Sequence, residues 1–120
     1  MSREQWCQRL FESIDAKRTE EFMSFLTPDA CFRYGSAPPA HGSKAITQAV
    51  EHFFASVGSL SHRVLDLWET PGHLICRGEV RYQRLDGRRV QIPFCNVLTM
   101  RGDQIACYDI YLDATPLTAE

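Results

Sequence analysis

The chain has 120 residues, a formal net charge of -2, 44% hydrophobic and 23% charged residues. These proportions are those of one soluble globular domain spanning residues 1–120, and the near-neutral charge offers no electrostatic footprint for nucleic acid. No apolar run reaches the length of a membrane span and the N-terminal MSREQWCQRLFESI lacks a signal-peptide pattern, so no membrane partner and a cytoplasmic location are expected.

In chain order, Trp6, Leu10, Phe11 and Ile14 have helical spacing and predict an amphipathic first helix. Thr19 with Phe22, Phe25 and Leu26 suggests a short second helix that ends before Pro28. Ala30 to Tyr34 reads as a short strand, and Gly35 to Gly42, with its Pro38-Pro39 pair, as a loop. Ser43 is placed to cap a third helix whose Ile46, Val50, Phe53 and Phe54 face the core, with Gly58 ending it. Phe53, Phe54 and Trp68 are expected in the core or in the wall of a pocket. From Ser61 to Asp113 four strands follow, separated by turns at Pro71-Gly72, Asp86-Gly87 and Gly102-Asp103. Helices followed by a meander predict an α+β fold, a curved antiparallel sheet with three N-terminal helices laid against one face. Long strands twist, so the helices enclose a cone-shaped hollow.

Asp86-Gly87 is the strongest hairpin signal in the chain. A two-residue loop there pairs Leu85 with Arg88, which puts Arg81 opposite Ile92, Glu79 opposite Phe94 and Arg77 opposite Asn96. Paired residues share a sheet face. Val90, Ile92, Phe94, Leu98 and Met100 then form an apolar face with Arg77, Glu79 and Asn96 in its middle. Polar groups so placed must be satisfied, which makes this cluster the candidate site. Arg77 and Glu79, two residues apart on one strand, project together; Glu79 is the candidate general base and Arg77 the group that orients it. The amide of Asn96 offers both a donor and an acceptor to a substrate. On the last strand, an unbulged turn at Gly102-Asp103 pairs Asn96 with Asp109, whereas a bulge turns Ile110 inward. The more apolar set Ala106, Tyr108, Ile110 and Leu112 favours Ile110, and Asp109 is kept as a substrate-binding candidate.

Cys7, Cys31, Cys76, Cys95 and Cys107 are an odd number without a C-x-x-C and are expected to be reduced, mostly buried thiols. Neither they nor His41, His52, His62 and His73 have ligand spacing, so no metal and no cofactor is expected.

The segments LTPDACFRYG (Leu26–Gly35), APPAHG (Ala37–Gly42) and IACYDIYLD (Ile105–Asp113), in this order of elements, resemble the nuclear transport factor 2-like superfamily. That superfamily includes ketosteroid isomerases, limonene epoxide hydrolases and SnoaL-like polyketide cyclases. The resemblance implies a curved sheet and three helices around a pocket. It aligns the epoxide hydrolases' pocket arginine and acidic residue with Arg77 and Glu79, but puts Ile110 at their third catalytic position and Phe32 and Tyr34 at their water-holding positions. The isomerases' oxyanion tyrosine falls on Leu10, their base on Tyr34, and their oxyanion acid on Cys95 or Asn96. The resemblance therefore implies the fold and not either reaction. Tyr34, near the implied pocket mouth, joins Asn96, Phe94, Ile92 and Asp109 as substrate-binding candidates, and His41 lies in a loop able to cover the opening.

The expected function is binding of a small, largely apolar molecule, with cofactor-independent hydrolase, isomerase or cyclase chemistry through Glu79 and Arg77. The alternative is a homodimeric interaction module without catalysis. A homodimer is expected in either case, through Val80, Cys95 and Val97 on the outer sheet face.

Overall fold

Ser2 opens the first helix with a reciprocal cap: its hydroxyl accepts from the Gln5 amide at 3.1 Å, and the Gln5 side chain accepts from the Ser2 amide at 3.0 Å. The computed structural model describes all 120 residues. Helices α1 (Arg3–Asp15) and α2 (Thr19–Met23) precede β1 (Leu26–Tyr34), β2 (Ala40–His41) and α3 (Gly42–Ser56). The strands β3 (Val57–Thr70), β4 (His73–Arg84), β5 (Arg89–Arg101) and β6 (Gln104–Tyr111) follow, and a single turn α4 (Thr115–Thr118) ends the chain. The α+β expectation holds, with two local differences. Ser43 makes no N-cap bond, its hydroxyl donating instead to the Pro28 carbonyl, and Gly58 lies inside β3. The carbonyls of Val57 and Gly58, just past α3, take hydrogen bonds from the Lys17 ammonium at 2.7 and 3.2 Å.

The sheet runs β2-β1-β6-β5-β4-β3 and does not close on itself. It is mixed, not purely antiparallel, because β1 joins β6 in parallel. Cys31 and Cys107 are partners in that parallel register and form a disulfide across 4.6 Å between Cα atoms. This corrects the expectation of five reduced thiols; Cys7, Cys76 and Cys95 are the free ones. A bridge of this kind persists in oxidising surroundings, so the cysteines no longer argue for the cytoplasm. No helix is long and apolar enough to cross a membrane.

The β4–β5 register differs from the sequence expectation by one residue, and that difference moves the expected site. The Arg84 amide donates to the Arg88 carbonyl at 2.7 Å and the Gly87 amide to the Arg84 carbonyl at 2.9 Å, so the loop has three residues, Leu85–Gly87. Gly87 alone takes a left-handed conformation, at φ +89°; Asp86 avoids it and accepts from the Arg88 amide at 3.1 Å. A two-residue type I′ turn needs both in that region, whereas a type I turn with a glycine bulge needs only the glycine. Arg77 consequently faces Cys95, Glu79 faces Pro93 and Gly78 faces Phe94. A slip of one turns every side chain over. Arg77 and Glu79 therefore lie on the outer face, and Cys76, Val80 and Tyr82 point inward and are buried.

The last hairpin has its two-residue turn, Gly102-Asp103, and then a bulge between Thr99 and Met100. Ile110 is set opposite Asn96 and Asp109 opposite Val97, so Ile110 takes the inward place and Asp109 is corrected to the outer face. A second irregularity in β3 sits opposite Gly78. There a Cβ would lie 2.0 Å from the Arg63 carbonyl oxygen, so only glycine lets the two backbones approach.

Two contiguous apolar clusters fill the space between the helices and the inner sheet face. One is built around Leu10, Phe22, Ile46, Leu98 and Tyr108, the other around Phe11, Val80, Ile92 and Phe94. Trp68, expected inside, lies on the outer face and is 47% exposed.

Candidate functional site

Because the sheet curls away from α3, the inner face retains a cavity of about 280 Å³. Phe32 and Tyr34 of β1, Leu60 and His62 of β3, Tyr82 of β4, Phe94 and Asn96 of β5, and Tyr108 and Ile110 of β6 supply its sheet wall. Phe53 and Phe54 of α3 close the opposite side, and Ala37 and Pro38 stand at the mouth. Sixteen of its 21 lining residues are hydrophobic, and none is a lysine, arginine, aspartate or glutamate. The lining is thus mostly apolar and carries no acidic side chain and no lysine or arginine.

Three polar constellations interrupt this lining. The hydroxyls of Tyr34 and Tyr82 meet at 3.0 Å, and since one donates to the other, one proton remains to bond a ligand oxygen. Burial pushes the phenol pKa of both above the ordinary value, which keeps them protonated donors. The Asn96 amide donates to the Tyr108 hydroxyl at 3.4 Å, while its carbonyl oxygen is buried without a partner. Tyr108, fully enclosed, is likewise raised by burial.

The third constellation is Asp15 with His62. Asp15 Oδ1 lies 2.6 Å from His62 Nδ1, and Asp15 Oδ2 accepts from the His62 backbone amide at 2.9 Å. An aspartate in the last turn of a helix faces the negative end of the helix dipole, so it is placed there for a different partner. Phe11 tilts over the imidazole at 4.7 Å between centroids and Phe94 meets it edge-on at 5.3 Å. The ring stands in the wall between the cavity and a groove bordered by α1 and β3.

The structure brings Asn96, Phe94 and Tyr34 into this cavity. Ile92 is buried on the same face, within the core cluster and not at the cavity surface. Arg77 and Glu79 are not brought there. Arg77 pairs with Asp66 at 2.6 Å on the outer face, and Glu79 accepts from Gln91. Asp109 pairs with Arg33 at 3.7 Å, also outside. The inward placement expected for Arg77 and Glu79 came from the two-residue reading of the Asp86-Gly87 loop. His41 is exposed at the start of α3 and does not line the cavity. Sequence reasoning passed over His62 and Asp15. The available signals were a histidine between inward Leu60 and Val64, and an acid at the end of an amphipathic helix. Nothing in the sequence joins two residues 47 positions apart.

A curved, unclosed sheet with N-terminal helices around an apolar cavity defines the nuclear transport factor 2-like class of folds. The SnoaL-like domain model matches residues 7–108, and the chain belongs to that family. Solved structures agree in fold. An NTF2-like protein of unknown function from Burkholderia pseudomallei superposes with a TM-score of 0.89 at 14% identity, covering 100% of both chains. A putative SnoaL-like polyketide cyclase from Jannaschia sp. CCS1 gives 0.82 at 14% identity over 98% of this chain and 92% of that one. TerC, co-crystallised with polyporic acid, gives 0.82 at 16% identity over 94% and 92%. No curated protein matches the chain by sequence.

Proposed function

We propose that the protein binds a small, neutral, largely apolar molecule in the cone and fixes one oxygen of it on the Tyr34–Tyr82 pair. The observation that carries this reading is the cavity itself, apolar over most of its wall and provided with one unspent phenol proton. TerC, which shares the fold, was crystallised with polyporic acid, which supports a ligand-holding role for the hollow. The test is titration of 2-naphthol into the wild type and into Ala49→Trp, which fills the cavity from α3. Saturable binding that falls at least tenfold in Ala49→Trp is expected. Equal binding by the two proteins would remove the cavity as the site.

We also propose a homodimer through the outer sheet face. Trp68, Ile75 and Val97 occupy successive strands at one level of that face, an apolar row flanked by the Arg77–Asp66 and Arg33–Asp109 ion pairs. Val80 belongs to the core and takes no part. A half-apolar face with charged margins suits a second copy of itself.

A further inference from the structure

We infer that the open edge of β3 beside α1 is a docking site for an extended, basic polypeptide segment with alternate apolar residues, which adds to the sheet as a further strand. The sheet has two edges: β2, which has two residues, and β3, which has 14. A long edge presents a row of unpaired main-chain groups, and proteins normally cover it. The first half of β3 is covered. The Lys17 ammonium donates to the Val57 and Gly58 carbonyls, and the Asp15 carboxylate accepts from the His62 amide. In an antiparallel pair, alternate residues turn both main-chain groups away from the partner strand. His62 is one of these, since its amide bonds Asp15, and Val64, two residues on, is the next. From Val64 to Leu67 no loop or side chain bonds that edge.

A groove of about 620 Å³ lies between this stretch and α1. Val64, Leu65, Asp66 and Leu67 all line it, so successive residues border it and it follows the edge of the strand, not one face of the sheet. Its apolar side includes Val64 and Leu65, neighbours that are 37% and 44% exposed. Opposite them stands the acidic side of α1. Glu4 and Glu12, with Gln8 between them at spacings of four, share one helix face, and neither enters an ion pair. Asp15 and Asp66 also border the groove, partnered by His62 and Arg77, and no lysine or arginine lines it. Unpaired backbone groups, exposed apolar side chains and carboxylates without cations call for one kind of occupant, an extended chain whose alternate side chains are cationic and apolar. A second copy of this edge is disfavoured, because pairing would bring two sets of the same carboxylates together.

The probe is the fluorescein-labelled peptide amide RLRVRLR, with binding followed by anisotropy. Wild type is expected to bind it saturably, about tenfold or more tighter than the acidic counterpart ELEVELE, and less tightly as salt rises. Glu4→Gln combined with Glu12→Gln is expected to weaken binding about threefold or more, the scale of two exposed ion pairs. Val64→Lys puts a cation on the edge and is expected to abolish binding while keeping native NMR dispersion, because that side chain already meets water. Strand addition engages one edge of the peptide, and N-methylation reads this directly. Of two analogues, one methylated at the inner arginine amides and the other at the leucine and valine amides, one should lose about tenfold or more and the other keep the parent affinity. Both are measured on wild type, so they decide even if Val64→Lys fails to fold. Absence of binding, equal affinity for ELEVELE, or equal behaviour of the two analogues overturns the inference. So does a dimer that Val64→Lys turns into a monomer, since the edge then belongs to a second copy.

Discussion

Replacing Cys107 or Cys31 by serine should be the most costly change to the outer face. The bridge joins residues 76 positions apart, so it encloses nearly two thirds of the chain in one covalent loop. The chain-entropy relation for a loop of 76 residues gives about 15 cal/mol/K, or about 4.5 kcal/mol at 25 °C, as the stabilisation from constraining the unfolded chain. For 120 residues the unfolding entropy is about 0.25 kcal/mol/K, so the same loss lowers Tm by about 18 °C. Both cysteines are half-buried, so a serine hydroxyl keeps access to water and adds little cost of its own. Each single variant removes the whole bridge; the double variant should therefore be no less stable than either. Urea unfolding without reductant reads the loss, and thiol titration in denaturant should find three free thiols before reduction and five after. A wild type with five free thiols, or single variants within about 1 kcal/mol of it, would refute the reasoning.

The buried phenols make stability pH-dependent on the alkaline side. Burial raises Tyr34, Tyr82 and Tyr108 above the ordinary value of 10 in the folded protein, so unfolding releases their protons once the pH passes that value. Their contribution is fully present below pH 10 and falls as pH rises, with a slope approaching about 4 kcal/mol per pH unit for three groups. Urea unfolding from pH 9 to 11.5 should show it, and Tyr82→Phe should remove about a third of the slope; a slope unchanged in Tyr82→Phe contradicts the assignment. On the outer face, Val97→Arg should place like charges opposite one another in the proposed dimer and yield a monomer by light scattering. A wild type that is already monomeric at micromolar concentration would count against that interface.

The helices, their core faces and the order of strands were legible because each is written in local periodicity. Leu10 and Phe11 on α1, Ile46 and Val50 on α3, and the alternation from Ile92 to Leu98 all point where the pattern says. What failed was a count of one. Whether a loop containing Asp86-Gly87 has two residues or three depends on whether Asp86 takes a left-handed conformation, and that is decided by the twist of the joined strands. The alternate set on the same strand, Cys76, Gly78, Val80 and Tyr82, is itself apolar and was the better guide, since burying the three side chains of Cys76, Val80 and Tyr82 outweighs one turn preference. The resemblance to epoxide hydrolases, which aligned Arg77 and Glu79 with pocket residues, reinforced the wrong face. On β6 the same argument from alternation chose Ile110 correctly over Asp109. The Asp15–His62 contact and the Cys31–Cys107 bridge were not legible, because both depend on how distant segments meet.

The glycine bulge at Leu85–Gly87 also constrains how this hairpin can diverge. Since side-chain direction alternates with each residue, the length of the loop acts as a parity bit for everything upstream of it in the sheet. Loss of one loop residue would ask β4 to present Arg77 and Glu79 to the core and Cys76 and Val80 to solvent, unless a compensating bulge arose further along. Gly78 closes part of that escape, since its tight fit against Arg63 ties β4 to β3 at one level. Insertions and deletions at this tip should therefore be tolerated in twos, or singly when paired with a second irregularity in the same strand. Among related chains, hairpin length and bulge count should vary together here, while either alone stays fixed.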